Sequence, residues 1–237
     1  MGKSLIKSLK SRNAELSKSE FQLQYLNESL LEIDLPSFEH KLLESGYPKL
    51  KPSKLEIFQI NLGYMCNQTC KHCHVDAGPD RKEIMTKDHL QKCLEIAERH
   101  EIQTIDLTGG APEMNPHFRW FVEEAAKVGV TEIIVRSNLT IILANPKYTD
   151  LPEFFAKHKL RVISSLPFYQ ASKTDSQRGE GVFNKSIEAL KMLNEVGYGK
   201  EGSDLLLDLV YNPAGAFLPA DQALLETEFK KNLKRDH

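Results

Sequence analysis

The chain has 237 residues, 41% hydrophobic and 27% charged, which is an ordinary globular composition at a length that a single α/β barrel domain fills. A formal net charge of −2 removes any electrostatic argument for nucleic acid or an anionic membrane as partner, and no apolar run reaches the length of a membrane-spanning helix. Four cysteines, three of them within eight residues, do not make a disulfide framework and point to a reducing compartment, by default the cytosol.

Met1 to Asn13 carries Lys3, Lys7, Lys10 and Arg12 among serines and no acid, which reads as a solvated basic tail. It has some of the character of an organellar transit peptide and lacks the apolar core of a secretory signal. Gly2 invites a myristoyl group, but Ile6 stands where Ser or Thr is needed. Over residues 14–50 the spacing of Phe21, Leu23, Leu26, Leu30 and Leu31, interrupted by Pro36, predicts one or two helices. Leu43, Gly46 and Pro48 close this segment with a turn signal. Residues 1–50 are thus expected to form a helical extension packed on the outside or one end of a core spanning 51–237.

From Leu55 the pattern becomes short apolar strands alternating with helical periods. Strands are expected at Leu55–Asn61, Ile102–Leu107, Glu132–Arg136, Leu160–Ser164 and Leu205–Val210. Helices are expected at Thr86–His100, Pro116–Val128, Tyr148–His158, Val182–Val196 and Asp221–Asn232, with Thr86 and Asn115 as N-caps and Gly129 and Gly197 past the C-terminal ends. Repeated βα units with near-continuous apolar strands predict an α/β fold, a parallel sheet of about five strands curled into a partial barrel with helices outside. In such folds chemistry gathers at the C-terminal ends of the strands. Cys66–Cys73, Thr108–Glu113, Ser137 and Asn138, Ser165, and Tyr211 and Asn212 all follow predicted strands.

The densest chemistry is Cys66-Asn67-Gln68-Thr69-Cys70-Lys71-His72-Cys73, a C-x₃-C-x₂-C string. Thiols packed this closely repel as thiolates and oxidise readily, so a neutral loop has little use for them. Three soft ligands on one loop suit an iron–sulfur cluster, and leaving a fourth iron free would make the arrangement catalytic. A Cys₃His zinc site with His72 or His74 is the alternative, although structural zinc usually draws on a second cysteine pair, which this chain lacks. A chance grouping is the third reading.

These residues resemble the radical S-adenosylmethionine (radical SAM) superfamily, whose signature is C-x₃-C-x-Φ-C, with His72 at the usually aromatic Φ position. The likeness extends through Asn61–Gln68, Cys73-His74-Val75-Asp76-Ala77-Gly78-Pro79, Thr108-Gly109-Gly110-Ala111-Pro112-Glu113 and Arg136-Ser137-Asn138-Leu139-Thr140. Over about residue 50 to the end, it is most similar to the arsenosugar-biosynthesis radical SAM family.

The resemblance implies a radical SAM-type barrel and a [4Fe–4S] cluster on Cys66, Cys70 and Cys73. SAM would be cleaved reductively to a 5′-deoxyadenosyl radical, with the electron supplied by a donor such as flavodoxin or ferredoxin. It further implies transfer of the deoxyadenosyl group to trivalent dimethylated arsenic, a small-molecule organoarsenical substrate. Among SAM contacts it implies His72 and the backbone of Thr108, Gly109 and Gly110. Ala111 replaces the usual Glu of the Gly-Gly-Glu motif, and Glu113, two residues on, is the nearest acid. Ser137, Asn138, Arg178 and Asn212 complete the expected SAM set.

Each of these has a plainer reading. Gly109-Gly110 can be a structural turn, Asn138 a turn residue, Arg178 a solvated loop cation, and Asn212 in Asn-Pro-Ala-Gly a chain reversal. Asp76 either orients His74 or caps a turn. Cys93 shares a helical face with Leu90, Leu94 and Ala97 and reads as a small buried hydrophobe, while His117 and His158 read as helix residues rather than ligands. The arsenosugar family also continues into a sixth strand and a cysteine-rich segment, so this chain is expected to stop short of both. A radical SAM enzyme acting on another substrate such as a peptide, and an inactive or truncated metal-binding module, stand as the other readings.

Overall fold

The structure, a computed structural model, describes residues 7–32, 35–213, 215 and 218–237, and the side chains of all of these except 28–32. The expectations placed on Gly2, Lys3 and Ile6, on the side chains of Leu30 and Leu31, and on Ala214 lie outside the described residues.

Five strands form one parallel sheet in sequential order: β1 (Ile57–Asn61), β2 (Thr104–Thr108), β3 (Glu132–Ser137), β4 (Arg161–Ser165) and β5 (Leu207–Val210). In the register Phe58 pairs with Ile105, Ile105 with Ile133, and Val135 with Val162. Because side chains alternate along a strand, these residues share one face with Ile60, Leu107 and Leu209. That face packs into a single core with helices α3 (Lys87–Arg99), α4 (Phe118–Lys127), α5 (Leu151–Lys157) and α7 (Val182–Glu195). Sequential order and parallel strands joined by helices make the partial barrel that the periodicity predicts.

The opposite face is polar. Gln59 pairs in register with Asp106, and Arg136 and Arg161 lie on the same side. Arg136 Nε donates to both oxygens of Asp106 at 2.9 and 3.0 Å, and Gln59 Nε2 donates to Asp106 Oδ2 at 2.9 Å. Arg161 Nε donates to Asp208 Oδ2 at 2.7 Å across β4 and β5.

Local chemistry sets the element ends. Thr86 caps α3, its hydroxyl accepting the His89 N–H at 3.4 Å. Asn115 is not the N-cap of α4; His117 holds that place without a side-chain bond. Asn115 Oδ1 instead accepts the His117 N–H at 2.9 Å, while its Nδ2 ties the carbonyls of Leu62 and Met85 at 3.0 and 2.9 Å. Gly129 follows α4 with φ +91°, a left-handed stop that a side chain resists.

Three expectations change. Helices α1 (Ser19–Glu32) and α2 (Phe38–Glu44) form, but Leu23, Tyr25, Leu26, Phe38 and Leu43 are exposed, so the expected packing on the core is not made by these side chains. Residues 8–11 are not a solvated tail: Ser8 is fully buried and docked on Asp80. The segment read as a loop around Arg178 contains a helix, α6 (Ala171–Arg178), with Arg178 as its last residue.

Candidate active site at the strand ends

The loop after β1 carries the three cysteines and is held down on the neighbouring β2–α4 turn by backbone hydrogen bonds. Gly110 N–H donates to Gly63 O at 2.9 Å, and Ala111 N–H to Met65 O at 2.8 Å. Gly109 has φ +134°, and a Cβ there would stand 2.5 Å from Gly63 O; one on Gly110 would strike Met65 O. Both glycines are therefore required for backbone to lie against backbone. The loop returns through Met65 beside Gly78 and Gly63 beside Ile84, so residues 78–84 run along its outer side.

These elements enclose a cavity of about 430 Å³ at the C-terminal ends of the strands. Cys66, Cys70, Cys73 and His72 line it from the cysteine loop. Thr108, Gly109 and Gly110 line it after β2, Ser137 and Asn138 after β3, and Arg178 and Asn212 on the far side. Of the residues expected to hold the cluster or SAM, Glu113 alone is absent from this wall. It lies behind it, buried, and neither carboxylate oxygen makes a hydrogen bond of ordinary geometry. Burial pushes its carboxyl up to about 7, with Ser137 beside it offsetting only part of that rise.

Each thiol has a polar partner. Asn138 Nδ2 donates to Cys66 Sγ at 3.4 Å, and the Ala77 N–H donates to Cys73 Sγ at 3.3 Å. Cys70 Sγ lies 3.7 Å from Gln68 Oε1. Burial pushes the Cys66 thiol up to about 12 and raises that of Cys70, where the Arg178 charge opposes the rise. Thiols raised in this way are poor nucleophiles at neutral pH, so Cys66 and Cys70 are unsuited to covalent catalysis. A soft metal centre would displace those protons and use the same donors.

Arg178 is buried, which overturns its reading as a solvated cation. Its Nη2 donates to Gln68 Oε1 at 2.9 Å and to Asn138 O at 3.2 Å, and Nη1 donates to Ser165 O. One guanidinium thus ties together the cysteine loop and the ends of β3 and β4. The stretch after it is fixed by Asp175, whose oxygens accept the Gly181 and Phe183 N–H groups at 2.8 Å each and so cap α7. Gln177 and Asn212 exchange bonds at 3.1 and 2.8 Å, drawing the end of β5 to α6.

Several residues of this framework are not visible to motif reading. Asn67 and Thr140 form a relay with Asn138, in which Asn67 Nδ2 donates to Thr140 Oγ1 at 2.8 Å and Asn138 Nδ2 to Asn67 Oδ1 at 2.8 Å, while Gln68 accepts from Arg178. Their partners lie far off in the chain, beyond β3 or on α6, which no local pattern reveals. His74 and Arg136 also line the cavity. Asp76 neither orients His74 nor simply caps its own turn; its carboxylate accepts the Leu9 and Lys10 N–H groups at 2.6 and 3.0 Å.

Among the described residues no three His, Cys, Asp or Glu side chains converge closely enough for a single ion, so a Cys₃His zinc arrangement is not formed. Three free thiols line one cavity, each beside a polar partner, and are the soft donor set that an iron–sulfur cluster takes.

Comparison with known proteins agrees with this geometry. The family model described as the radical SAM superfamily matches residues 60–208, from β1 into β5. A probable GTP 3′,8-cyclase of Sulfolobus acidocaldarius is 28% identical over 146 residues, covering 61% of this chain and 44% of its own. The mycofactocin maturase MftC of Mycolicibacterium smegmatis is 27% identical over 147 residues, covering 58% and 34%. The chain spans less than half the length of these curated relatives. Among solved structures, Streptococcus suis SuiB bound to precursor peptide SuiA has a TM-score of 0.56 at 15% identity, over 93% of this chain and 51% of that one, which shows the shared fold. Members of the matched family use a [4Fe–4S] cluster and SAM. With the family model covering more than half of its length, this chain belongs to the radical SAM superfamily.

Proposed function

We propose that this chain is a radical SAM enzyme whose core, residues 51–237, holds a [4Fe–4S] cluster on Cys66, Cys70 and Cys73, with residues 1–50 as an extension. The observation that carries the reading is three unpaired thiols facing one 430 Å³ cavity, with Gly109, Gly110 and Asn138 also on its wall. When bound and reduced, the cluster supplies the electron that cleaves SAM into methionine and a 5′-deoxyadenosyl radical. The protein's own part is to bind, orient and enclose.

In this reading Asn138 and the Ala77 N–H donate to ligand sulfurs, which tunes the cluster. The Gly109–Gly110 turn offers close backbone approach, so that Thr108, Gly109 and Gly110 receive the SAM amino group. Glu113, buried behind the wall beside Ser137, is the acid that would complete this part of the SAM site. Arg178 locks the rim and turns positive charge towards the methionine carboxylate. His72, Ser137 and Asn212 bound the nucleoside side. A small reducing protein, flavodoxin or ferredoxin in class, delivers the electron.

For the second substrate we propose trivalent dimethylated arsenic, adenosylated on the way to an arsenosugar. The string Cys73-His74-Val75-Asp76-Ala77-Gly78-Pro79 with Thr108–Glu113 supports this. A peptide substrate is the second reading, favoured by the fold shared with a protein solved with a precursor peptide bound.

Anaerobic reconstitution with iron and sulfide, then reduction with SAM, tests the engine. The expected result is a reduced-cluster electron paramagnetic resonance signal that SAM perturbs, with 5′-deoxyadenosine formed. Zinc bound in place of iron and sulfide would overturn the reading. Adding trivalent dimethylated arsenic should then divert the deoxyadenosyl group of cleaved SAM from free 5′-deoxyadenosine into an arsenic adduct; its absence would remove the arsenic proposal and leave the engine standing.

A further inference from the structure

The proposed cluster and SAM roles leave one sequence feature unexplained, the run Asp76-Ala77-Gly78-Pro79-Asp80-Arg81-Lys82-Glu83 just beyond the third cysteine. Three of its eight residues are acidic, yet none lines the cavity. They face outward, onto residues 8–11 of the same chain. Asp76 accepts the Leu9 and Lys10 N–H groups at 2.6 and 3.0 Å, at the start of the 3₁₀ turn Lys10–Arg12. Asp80 accepts the Ser8 N–H at 3.3 Å, the Ser8 hydroxyl at 2.5 Å and the Ser11 hydroxyl. Glu83 pairs with Lys10. Ser8 is fully buried in this contact, although it lies more than sixty residues away in the chain.

The clamp bears on the cysteine loop by two routes. Asp76 has φ +51°, an uncommon left-handed conformation for a non-glycine residue that surrounding contacts must hold. Arg81 supplies one of these contacts, with Nη1 donating to Asp76 O at 2.5 Å and to Oδ2 at 2.9 Å, and its guanidinium 4.6 Å over the Tyr64 ring. Residues 8–11 supply the rest. The next N–H, that of Ala77, donates to Cys73 Sγ, so the conformation at Asp76 sets the donor on that sulfur. By the second route, Cys66 N–H donates to Gly78 O at 3.2 Å and Gly78 N–H to Tyr64 O at 3.1 Å, which links the clamped segment to the first cysteine.

We infer that Asp76 and Asp80 are positioning residues and that residues 8–11 are a strap which fixes Cys73 and Cys66 for cluster binding. This rests on the cluster reading above, but its own effect is present in the metal-free chain. The strap acts through backbone: it carries no ligand and holds the loop that does.

The test compares the full chain with Asp76→Ala/Asp80→Ala and with Asp76→Asn/Asp80→Asn, which keep one acceptor oxygen at each position. The first readout is the alkylation rate of each cysteine in the metal-free chain. Cys73 is expected to react about tenfold faster in the alanine variant, as a local opening rather than a global one. Cys93, on α3 and remote from the strap, should be unchanged, and the asparagine variant should restore part of the protection. After reconstitution, the alanine variant should lose iron to a chelator correspondingly faster. If Cys93 also accelerates, the variant has unfolded, and Ser8→Ala/Ser11→Ala, which leaves the loop's own sequence intact, takes its place with the same expectation for Cys73. An unchanged Cys73 rate in folded alanine or serine variants overturns the strap. A faster Cys73 in a chain that never takes up iron would leave the strap standing and remove the cluster reading instead.

Discussion

On one face of the sheet Ile105, Leu107, Val135 and Val162 are fully buried beneath helices, and almost nothing there is directional. On the other, Gln59, Asp106 and Arg136 are held by hydrogen bonds, and Arg136, with Ile163 and Val210, opens onto the cavity. The first face derives its stability from area removed from water and tolerates exchange of one apolar side chain for another. The second has its polar groups satisfied one by one, and its geometry fails when a single partner is removed. Stability and chemistry are thus segregated by the alternation of side chains along five strands, and substitutions on either side should separate them.

The largest effect belongs to the cavity. Cys70→Ala is expected to abolish both cluster assembly and 5′-deoxyadenosine formation, while the melting temperature of the metal-free chain stays near that of the parent. Iron and sulfide content with calorimetry checks this. A variant that still cleaves SAM at the parent rate would remove Cys70 from the ligand set.

Next comes the helix side. Phe155 of α5 is fully buried and meets the Phe118 ring edge-on at 6.3 Å. Phe155→Ala should cost about 3–5 kcal/mol in denaturant unfolding through lost transfer energy and the cavity left behind. Deoxyadenosine formed per loaded cluster should not change in the fraction that stays folded. A selective loss of turnover would mean that the two faces are coupled through the sheet.

Glu113 lies on the boundary between the two and has a pH signature. Its folded carboxyl sits at about 7 against an ordinary 4.5, because burial disfavours the charge. The folded state therefore keeps a proton that the unfolded chain loses, and stability falls as pH rises from about 4.5 to about 7, then levels off. Glu113→Gln removes that dependence. In the metal-free chain it should be nearly neutral at about pH 5 and more stable than the parent by roughly 3 kcal/mol at about pH 8. Parallel unfolding curves with no growing gap would show that the carboxylate is paired after all.

The strands were the most legible part of the fold because they are near-continuous apolar runs. Their observed starts differ by two residues where the outer side chain is exposed, as at Leu55, or where a loop precedes the ladder, as at Ile102. The cavity was legible as far as chemistry-bearing residues follow strand ends: every residue expected to hold the cluster or SAM except Glu113 lines it. What could not be read was long-range pairing. Helix α6, Ala-Ser-Lys-Thr-Asp-Ser-Gln-Arg, has no apolar period and is formed around Asp175 and Arg178, whose partners are a later helix and an earlier loop. The residue 8–11 strap was likewise invisible, since a basic serine-rich segment looks solvated until Asp76, Asp80 and Glu83 are brought beside it.

The smallest effect is expected at the fourth cysteine. Cys93 is free, half-buried on α3 and packed against the core beside the buried Leu90, Leu94 and Ala97, and burial raises its thiol. Among the described residues no charge or donor offsets that rise, so it behaves as a small apolar side chain. Cys93→Ala should cost about 1 kcal/mol and leave iron content, sulfide content and SAM cleavage at parent levels. The same chemical change at Cys70, on the cavity wall, is expected to end activity without affecting the fold. Loss of the cluster in the Cys93 variant would place a ligand on the helix side of the sheet, and the segregation of the two faces would no longer hold.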